Sequence, residues 1–398
     1  MVGSRVDVGM EGEGRDRAVH GTICVFTRSW RYATGPFAQK LADSIALQGV
    51  TTFLVAPPPE TAGFIARHPN VVQRRTPRGL AGQGSLAARI VATVRRMGSG
   101  VFQVLRARLH TRRFVITAPE ILPVTLPLVV LLRLSGGRVV LVVHDPTPHR
   151  RRNALIGALE RLMLNVLYGL ASELVVLSES TRRALSDSYR LRLKTISVIP
   201  EGMPILDAPP LSGSGRLLLF GTIRANKMVA EAVEGVEMAR NTGLDVQLTI
   251  AGSASEGEED YFAAIAESVS AKPHVRAELG YVDDARLPGL FAECDALLLP
   301  YRNFESHSAV ALLAAAGRRP IIATASGGIA DLFREGIAGV EIEENTPEAI
   351  ARAIESFFGH PMSCWVSHAE KAKGELEGRY SWAAAGERYL ALRSMRAG

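Results

Sequence analysis

The stretch Leu217-Leu218-Leu219-Phe220-Gly221-Thr222-Ile223-Arg224-Ala225-Asn226-Lys227-Met228 decides the reading of this chain. Four apolar residues running into a glycine read as a buried strand whose next turn carries no side chain, and two cations three residues apart follow that turn. Such a turn can hold a diphosphate. The helix expected from Val229 to Arg240 would bring its positive N-terminal end toward the same place. Surface charge on an ordinary connection would look similar, so the weight comes from a second junction eighty residues on. There Ala296 to Pro300 reads as a strand and Ala309 to Ala316 as a buried helix, with Tyr301-Arg302-Asn303-Phe304-Glu305-Ser306-His307-Ser308 between them. Ligands of open parallel sheets gather beyond the carboxyl ends of the strands, so the two junctions can face one diphosphate carrying a sugar.

Outward from these junctions the chain alternates strand-like and helix-like segments. Thr22–Thr27, Thr51–Ala56, Phe114–Thr117, Val139–Val143, Leu174–Leu177 and Ile196–Ile199 read as strands of a first half, with a helix over Phe37–Leu47. After a turn region at Pro200 to Pro210 the pattern restarts with Leu217–Phe220, Gln247–Ala251, Arg276–Leu279, Ala296–Pro300, Pro320–Thr324 and Gly339–Ile342. That order predicts an α/β fold of two Rossmann-like domains with parallel sheets, facing a central cleft. The expected boundaries are a disordered tail over 1–20, an N-terminal Rossmann-like domain over 21–205, a C-terminal Rossmann-like domain over 206–375, and a C-terminal helix over 376–398.

Composition excludes several classes. No apolar run reaches the roughly eighteen residues that a spanning helix needs, and the first twenty residues are charged and glycine-rich, so a cytoplasmic protein is expected. The three cysteines, Cys24, Cys294 and Cys364, lack metal spacing and read as reduced core thiols. Residues 1–200 hold 28 Lys and Arg against 12 Asp and Glu, whereas residues 201–398 hold 18 against 28. An anionic membrane surface, nucleic acid and plain solvation compete for the basic half. Aromatic residues, 6% of the chain and not interleaved with the arginines, count against nucleic acid.

His144-Asp145-Pro146-Thr147-Pro148-His149 follows the strand Val139–Val143, a rigid polar cluster at a strand's carboxyl end or else a proline turn with a capping Asp. The loop Arg28 to Pro36 has no Gly-x-Gly-x-x-Gly fingerprint, which counts against a nicotinamide enzyme, and it can close over a substrate or be a plain connection. Glu256 to Asp260 reads as a solvated acidic loop.

With these residues in view the chain resembles the two-domain nucleotide-sugar glycosyltransferases of the GT-B fold, family 4 type, from Gly21 onward and most strongly over 196–325. Gly221, Arg224 and Lys227 match the element that grips the donor diphosphate in that family. Ile199-Pro200-Glu201-Gly202 is similar to its hinge, Gly280-Tyr281-Val282 to the segment that meets the base, and the final helix to the one that crosses back to the N-terminal domain. His144 matches the histidine that approaches the donor sugar, and Glu305 the first of two signature glutamates; Leu313 stands at the second. Tyr-Arg-Asn and His-Asp-x-x-Pro-His resemble a bacterial branch of exopolysaccharide and lipid-linked saccharide assembly.

The resemblance implies sugar transfer from a nucleoside diphosphate without a metal or other cofactor. It assigns His144, Asp145 and Glu305 to catalysis, and Gly221, Arg224, Lys227, Gly252, Val282, Asn303, Ser306, His307 and Ser308 to the donor. Gly35, Arg28 and His149 fall on the acceptor side. Implied partners are a nucleotide-sugar donor, a saccharide or polyprenyl-linked acceptor and the inner face of an anionic membrane, with no nucleic acid. A soluble enzyme glycosylating a small natural product, and a non-catalytic nucleotide-sugar-binding protein, are the competing expectations.

Overall fold

A computed structural model of the chain describes residues 21–28, 34–58, 68–77, 85–117, 122–145, 154–189, 191, 194–255 and 257–396. The expected tail over 1–20 lies outside them, as do Trp30, Arg31 and His149. Among the described residues no helix is long and apolar enough to cross a membrane.

The N-terminal domain runs β1 (Thr22–Phe26), α1 (Thr34–Ala46), β2 (Thr51–Ala56), β3 (Val71–Arg75), α2 (Leu86–Ala107), β4 (Arg113–Ile116), α3 (Leu122–Leu134), β5 (Arg138–Val143), α4 (Ala154–Leu170), β6 (Glu173–Val176), α5 (Glu179–Ser188) and β7 (Ile196–Val198). Its strands form a sheet in the order β3-β2-β1-β4-β5-β6-β7, with every pairing parallel. Ile23 and Val25 of β1 face α1, while Cys24 and Phe26 face α2 and α3, so apolar residues fill consecutive positions as a doubly covered sheet requires. Strand β3 was not expected from sequence. Its Gln73, Arg74 and Arg75 belong to an arginine patch, and only pairing with β2 at the sheet edge reveals a strand there.

The second domain follows with β8 (Arg216–Phe220), α6 (Val229–Asn241), β9 (Gln247–Gly252), α7 (Glu259–Val269), β10 (Val275–Leu279), α8 (Leu287–Ala292), β11 (Ala296–Leu299), α9 (Ala309–Ala316), β12 (Ile321–Thr324), α10 (Gly327–Arg334), β13 (Gly339–Ile342), α11 (Pro347–Phe358) and α12 (Met362–Arg379). Its sheet order is β10-β9-β8-β11-β12-β13, again parallel throughout. The order reverses between β8 and β11, and both junctions singled out in the sequence stand at that point. Met203, Leu206 and Ala208 pack into this domain's core, so its buried material starts slightly before the expected boundary at 206.

The crossing helix needs a correction. Leu376 and Tyr380 still belong to the C-terminal core, and the segment that lies on the N-terminal domain starts at Ser381, the N-cap of α13 (Trp382–Ala391), not at 376. Helix α13 packs along α1 so closely that a side chain at Gly386 would strike the Ser44 carbonyl. The chain end is anchored by Arg113 Nη1 donating to the Met395 carbonyl at 2.8 Å and by the Ser394 hydroxyl donating to Glu173 at 3.0 Å. At the hinge, Gly202 is forced by proximity: a Cβ there would lie 2.3 Å from the Trp382 indole. The cysteine expectation also needs correcting, because Cys24 and Cys294 are buried whereas Cys364 is exposed.

Next to that glycine, burial pushes the Glu201 carboxyl up to about 7, with Lys40 opposing the shift. The folded chain therefore holds this proton more tightly than the unfolded chain does. The stability it contributes is full below about pH 4.5 and is lost as pH rises through about 7, on the order of 2–3 kcal/mol. Glu201→Gln is expected to flatten this part of the stability profile. Denaturant titrations of both proteins across that window check it, and parallel profiles would refute it.

Candidate functional site

Three adjacent strand ends make a ledge without side chains. Gly221 after β8, Gly252 at the end of β9 and Gly280 after β10 have φ of 106°, 153° and 150°. The Gly221 amide donates to the Ala251 carbonyl at 3.0 Å, and the Gly280 amide to Gly252 at 2.9 Å. A Cβ on Gly252 would lie 1.9 Å from the Gly221 carbonyl oxygen, so glycine is required there both by conformation and by contact. Val282 follows the ledge and packs partly buried against the core of the domain.

Beyond Gly221 the chain does not enter α6 directly. A single 3₁₀ turn, Ala225–Lys227, intervenes, and Met228 at φ 53° redirects the backbone into the helix. This corrects the simple strand-to-helix turn expected from sequence. Helix α6 also differs from expectation at its N-terminus, because the Val229 amide donates to the Tyr261 hydroxyl at 3.1 Å and so does not face a ligand. The turn is pinned from outside: the Ala225 amide donates to Glu258 at 3.2 Å, and the Arg302 amide to the Asn226 carbonyl at 2.8 Å. Glu258 is therefore a structural acceptor for the donor loop rather than part of a merely solvated acidic run.

That turn delivers Lys227 inward. Its side chain is 6% exposed, and its ammonium donates to the Phe220 carbonyl at 3.2 Å and to the Tyr301 hydroxyl at 3.1 Å. A Cβ on Gly221 would sit 3.1 Å from Lys227 Nζ and 3.4 Å from Val310 in the first turn of α9, so strand end, ammonium and helix start converge. Burial first, and the Arg224 charge second, bring the Lys227 ammonium down to about 7. Arg224 is half-buried beside it, with its Nε enclosed and lacking a partner among the described residues. Two cations held this close, the buried one brought down first by desolvation, are an arrangement suited to meeting an anion. Tyr301, whose hydroxyl burial pushes far above its ordinary range, was read in the sequence only as the first residue of a polar loop, with nothing to mark it as a partner of Lys227.

The second junction folds around α10. Gly327, φ 53°, lies against the Phe304 and Glu305 backbone, and the Gly328 amide donates to the Ser306 carbonyl at 3.0 Å. Asn303 is exposed with φ 52°, and Glu305 is exposed as well. Ser308 caps α9 by accepting from the Ala311 amide at 3.2 Å, and Ser306 is buried. Both hydroxyls are thus less open than the sequence suggested. Leu313 is 9% exposed and belongs to the core.

The two domains meet here. Asp331 of α10 accepts from the Ser180 amide at the start of α5 at 2.8 Å, and the Thr181 hydroxyl donates to the Glu305 carbonyl at 3.3 Å. His144, at the end of β5, stands edge-on to Phe37 of α1 with centroids 4.9 Å apart, and Phe37 in turn meets Trp382 at 5.6 Å. Gly35 is buried in the first turn of α1, two residues before Phe37. Across the cleft, burial first and the nearby His144 second bring His307 down to about 4, against the opposing pull of Asp331. His307 is therefore neutral at ordinary pH, and its Nε2 has no partner among the described residues. Neither Phe37 nor Trp382 was singled out by sequence, since a ring on a buried helix face reads as ordinary core.

Asp145 is exposed at the strand end beside His144. Arg28 lies apart from the histidines, in a recess between α2 and α3 that it lines with Phe26, Thr76, Arg96, Met97 and Val124.

Two parallel-sheet domains, a glycine ledge at the reversal point and a cleft between them define the GT-B fold. Residues 214–360 match the family described as glycosyl transferases group 1. A glycogen synthase of Mycobacterium tuberculosis is 26% identical over 264 residues, which take in 64% of this chain and 63% of that protein. The chain thus spans less than two thirds of that relative's length. Among solved structures, a sucrose-phosphate synthase from Thermosynechococcus elongatus superposes with a TM-score of 0.70 at 14% identity, over 94% of this chain and 98% of that one. HepE of Anabaena, in complex with UDP and glucose, does so with a TM-score of 0.70 at 16% identity, over 95% and 100%.

Proposed function

We propose that the chain is a glycosyltransferase that moves a sugar from a nucleoside diphosphate to a saccharide or lipid-linked acceptor. The observation that carries this reading is buried Lys227 with half-buried Arg224 beside the side-chain-free ledge, a pair that would hold an anion at the strand ends of the matched domain. Departure of the diphosphate leaves negative charge on its oxygens, and these two cations would stabilise it as it develops. No metal is needed for that role. His307 would accept or donate a hydrogen bond to the sugar through Nε2, and Glu305 would hold sugar hydroxyls. His144, with Asp145, would orient the sugar or carry a proton from the acceptor hydroxyl.

The acceptor would enter from the N-terminal domain, on the side of Gly35 and Arg28. We place the enzyme in assembly of a bacterial exopolysaccharide or other cell-surface glycan, working in the cytoplasm or peripherally on the inner face of the membrane. The family 4 type and the exopolysaccharide branch rest on the motif resemblance, and the choice of a hexose donor on the same ground.

A panel of nucleotide sugars is expected to contain one that raises the thermal midpoint of the purified chain, since a ligand bound only to the folded state stabilises it. That response should vanish in Lys227→Ala. A response to no donor, or one that survives in the variant, would remove the reading.

A further inference from the structure

On the side of the N-terminal sheet covered by α2, α3 and α4, apolar side chains point outward as well as inward. In α2 and the turn after it, Val91, Val94, Phe102, Leu105 and Leu109 recur at helical spacing on the solvent side and are 36% to 82% exposed. Leu131 and Leu134 continue this on α3, and Leu159, Leu162 and Val166 on α4. The three helices lie side by side, α2 against α3 and α3 against α4, so the stripes are neighbours. A helix that covers a sheet normally turns charged or polar residues to water, and scattered exposed leucines need no explanation, but three adjacent stripes do.

The charge around the stripes is one-sided. Residues 61–170, which take in all three helices, hold seventeen arginines, no lysine and three acids, Glu120, Asp145 and Glu160. Arg95 and Arg106 are exposed along one border of the α2 stripe, and Arg161 is exposed beside Leu162 on α4. The occupant of this face must therefore be apolar and anionic together. A nucleic acid would meet the arginines but leave the leucines and valines in water. A second copy docking through the same face about a two-fold axis would set arginine against arginine.

We infer that the outer face of α2, α3 and α4 docks on an anionic lipid bilayer. The apolar stripes sink between the headgroups while Arg95, Arg106 and Arg161 meet lipid phosphates, their stems lying along the apolar surface. The recess holding Arg28 and Arg96 lies between α2 and α3 themselves, so a lipid-linked acceptor would pass from the bilayer toward the cleft without leaving this side of the sheet. The inference deepens the proposed lipid-linked acceptor but does not require sugar transfer.

The full chain, sedimented with vesicles of phosphatidylcholine and with vesicles that also contain phosphatidylglycerol, should bind only the second kind and be released by salt. Arg95→Gln with Arg106→Gln is expected to lower the partition coefficient roughly 10- to 30-fold. Phe102→Ser with Leu109→Ser should lower it about tenfold. All four side chains are exposed, so the thermal midpoint should hold in both variants. Binding that ignores lipid charge, or that survives both variants, overturns the inference. So does a dimer that Phe102→Ser with Leu109→Ser dissolves in a protein indifferent to vesicles. Donor-induced stabilisation read on the same samples keeps the two proposals apart: docking without any donor response leaves the surface standing and removes the enzyme reading, whereas a donor response without docking removes the surface alone.

Discussion

Replacing Lys227 with alanine is expected to lower turnover of a nucleotide-sugar donor by roughly 10²- to 10³-fold, the loss typical of a preorganised group that meets charge only as it develops. Its ammonium is held by the Phe220 carbonyl and the Tyr301 hydroxyl, so it would need little reorganisation to meet a developing charge. The same burial makes the site sensitive to pH in a definite direction. With the ammonium down at about 7 in the empty cleft, a neutral amine prevails above that pH, and a diphosphate must bring a proton with it. Donor affinity is therefore expected to be highest below about pH 7 and to fall as pH rises through it, by up to about tenfold per pH unit. Calorimetry at about pH 8 in two buffers of different ionisation enthalpy should show close to one proton taken up per donor bound. Binding that takes up no proton, or a Lys227→Ala enzyme with near-normal turnover, would place the diphosphate elsewhere.

Replacing Asp295 with alanine is expected to be the most destabilising single change in the C-terminal domain, at about 3–5 kcal/mol. The carboxylate is fully buried at the start of β11 and accepts from the backbone amides of Ser212, Gly213 and Arg216 at 3.1, 2.8 and 3.3 Å, besides the hydroxyls of Ser212 and Ser214. It ties the polar segment entering β8 to the strand beside β8 and so sets where the donor strand begins. Alanine leaves those amides without an acceptor, whereas asparagine keeps one oxygen and should cost less. Denaturant titration of the two variants checks the order, and an alanine variant as stable as the parent would show that the segment is free to move.

Much of the fold was legible because its strands are buried on both faces. Leu217–Phe220, Val139–Val143 and Phe53–Ala56 are unbroken apolar runs ended by glycine, histidine and proline, and such runs have few other places to go. β3 escaped for the opposite reason, since an edge strand covered by little can be written in arginine and glutamine. At the candidate site, Gly221, Arg224 and Lys227 were singled out by local spacing together with the second junction eighty residues on. Glu258, Tyr261 and Tyr301 were not, because each acts on a backbone or side chain tens of residues away, and nothing in a local window marks which acid or phenol will be the partner.

The pattern of apolar runs thus determined by itself that the chain builds two parallel sheets, because burial on both faces restricts which residues a strand can carry, whereas the reversal of order between β8 and β11 came only from the strand pairing. The 28 to 12 excess of basic over acidic residues in the first 200 residues was likewise there to read. Only the tertiary structure decided that Lys227 is buried enough to lose its proton near neutrality, and that His307 faces His144 across the cleft. It alone placed the outward leucines and valines of three helices side by side. Desolvation and adjacency depend on atoms that packing brings from distant parts of the chain, and no local stretch of residues contains them.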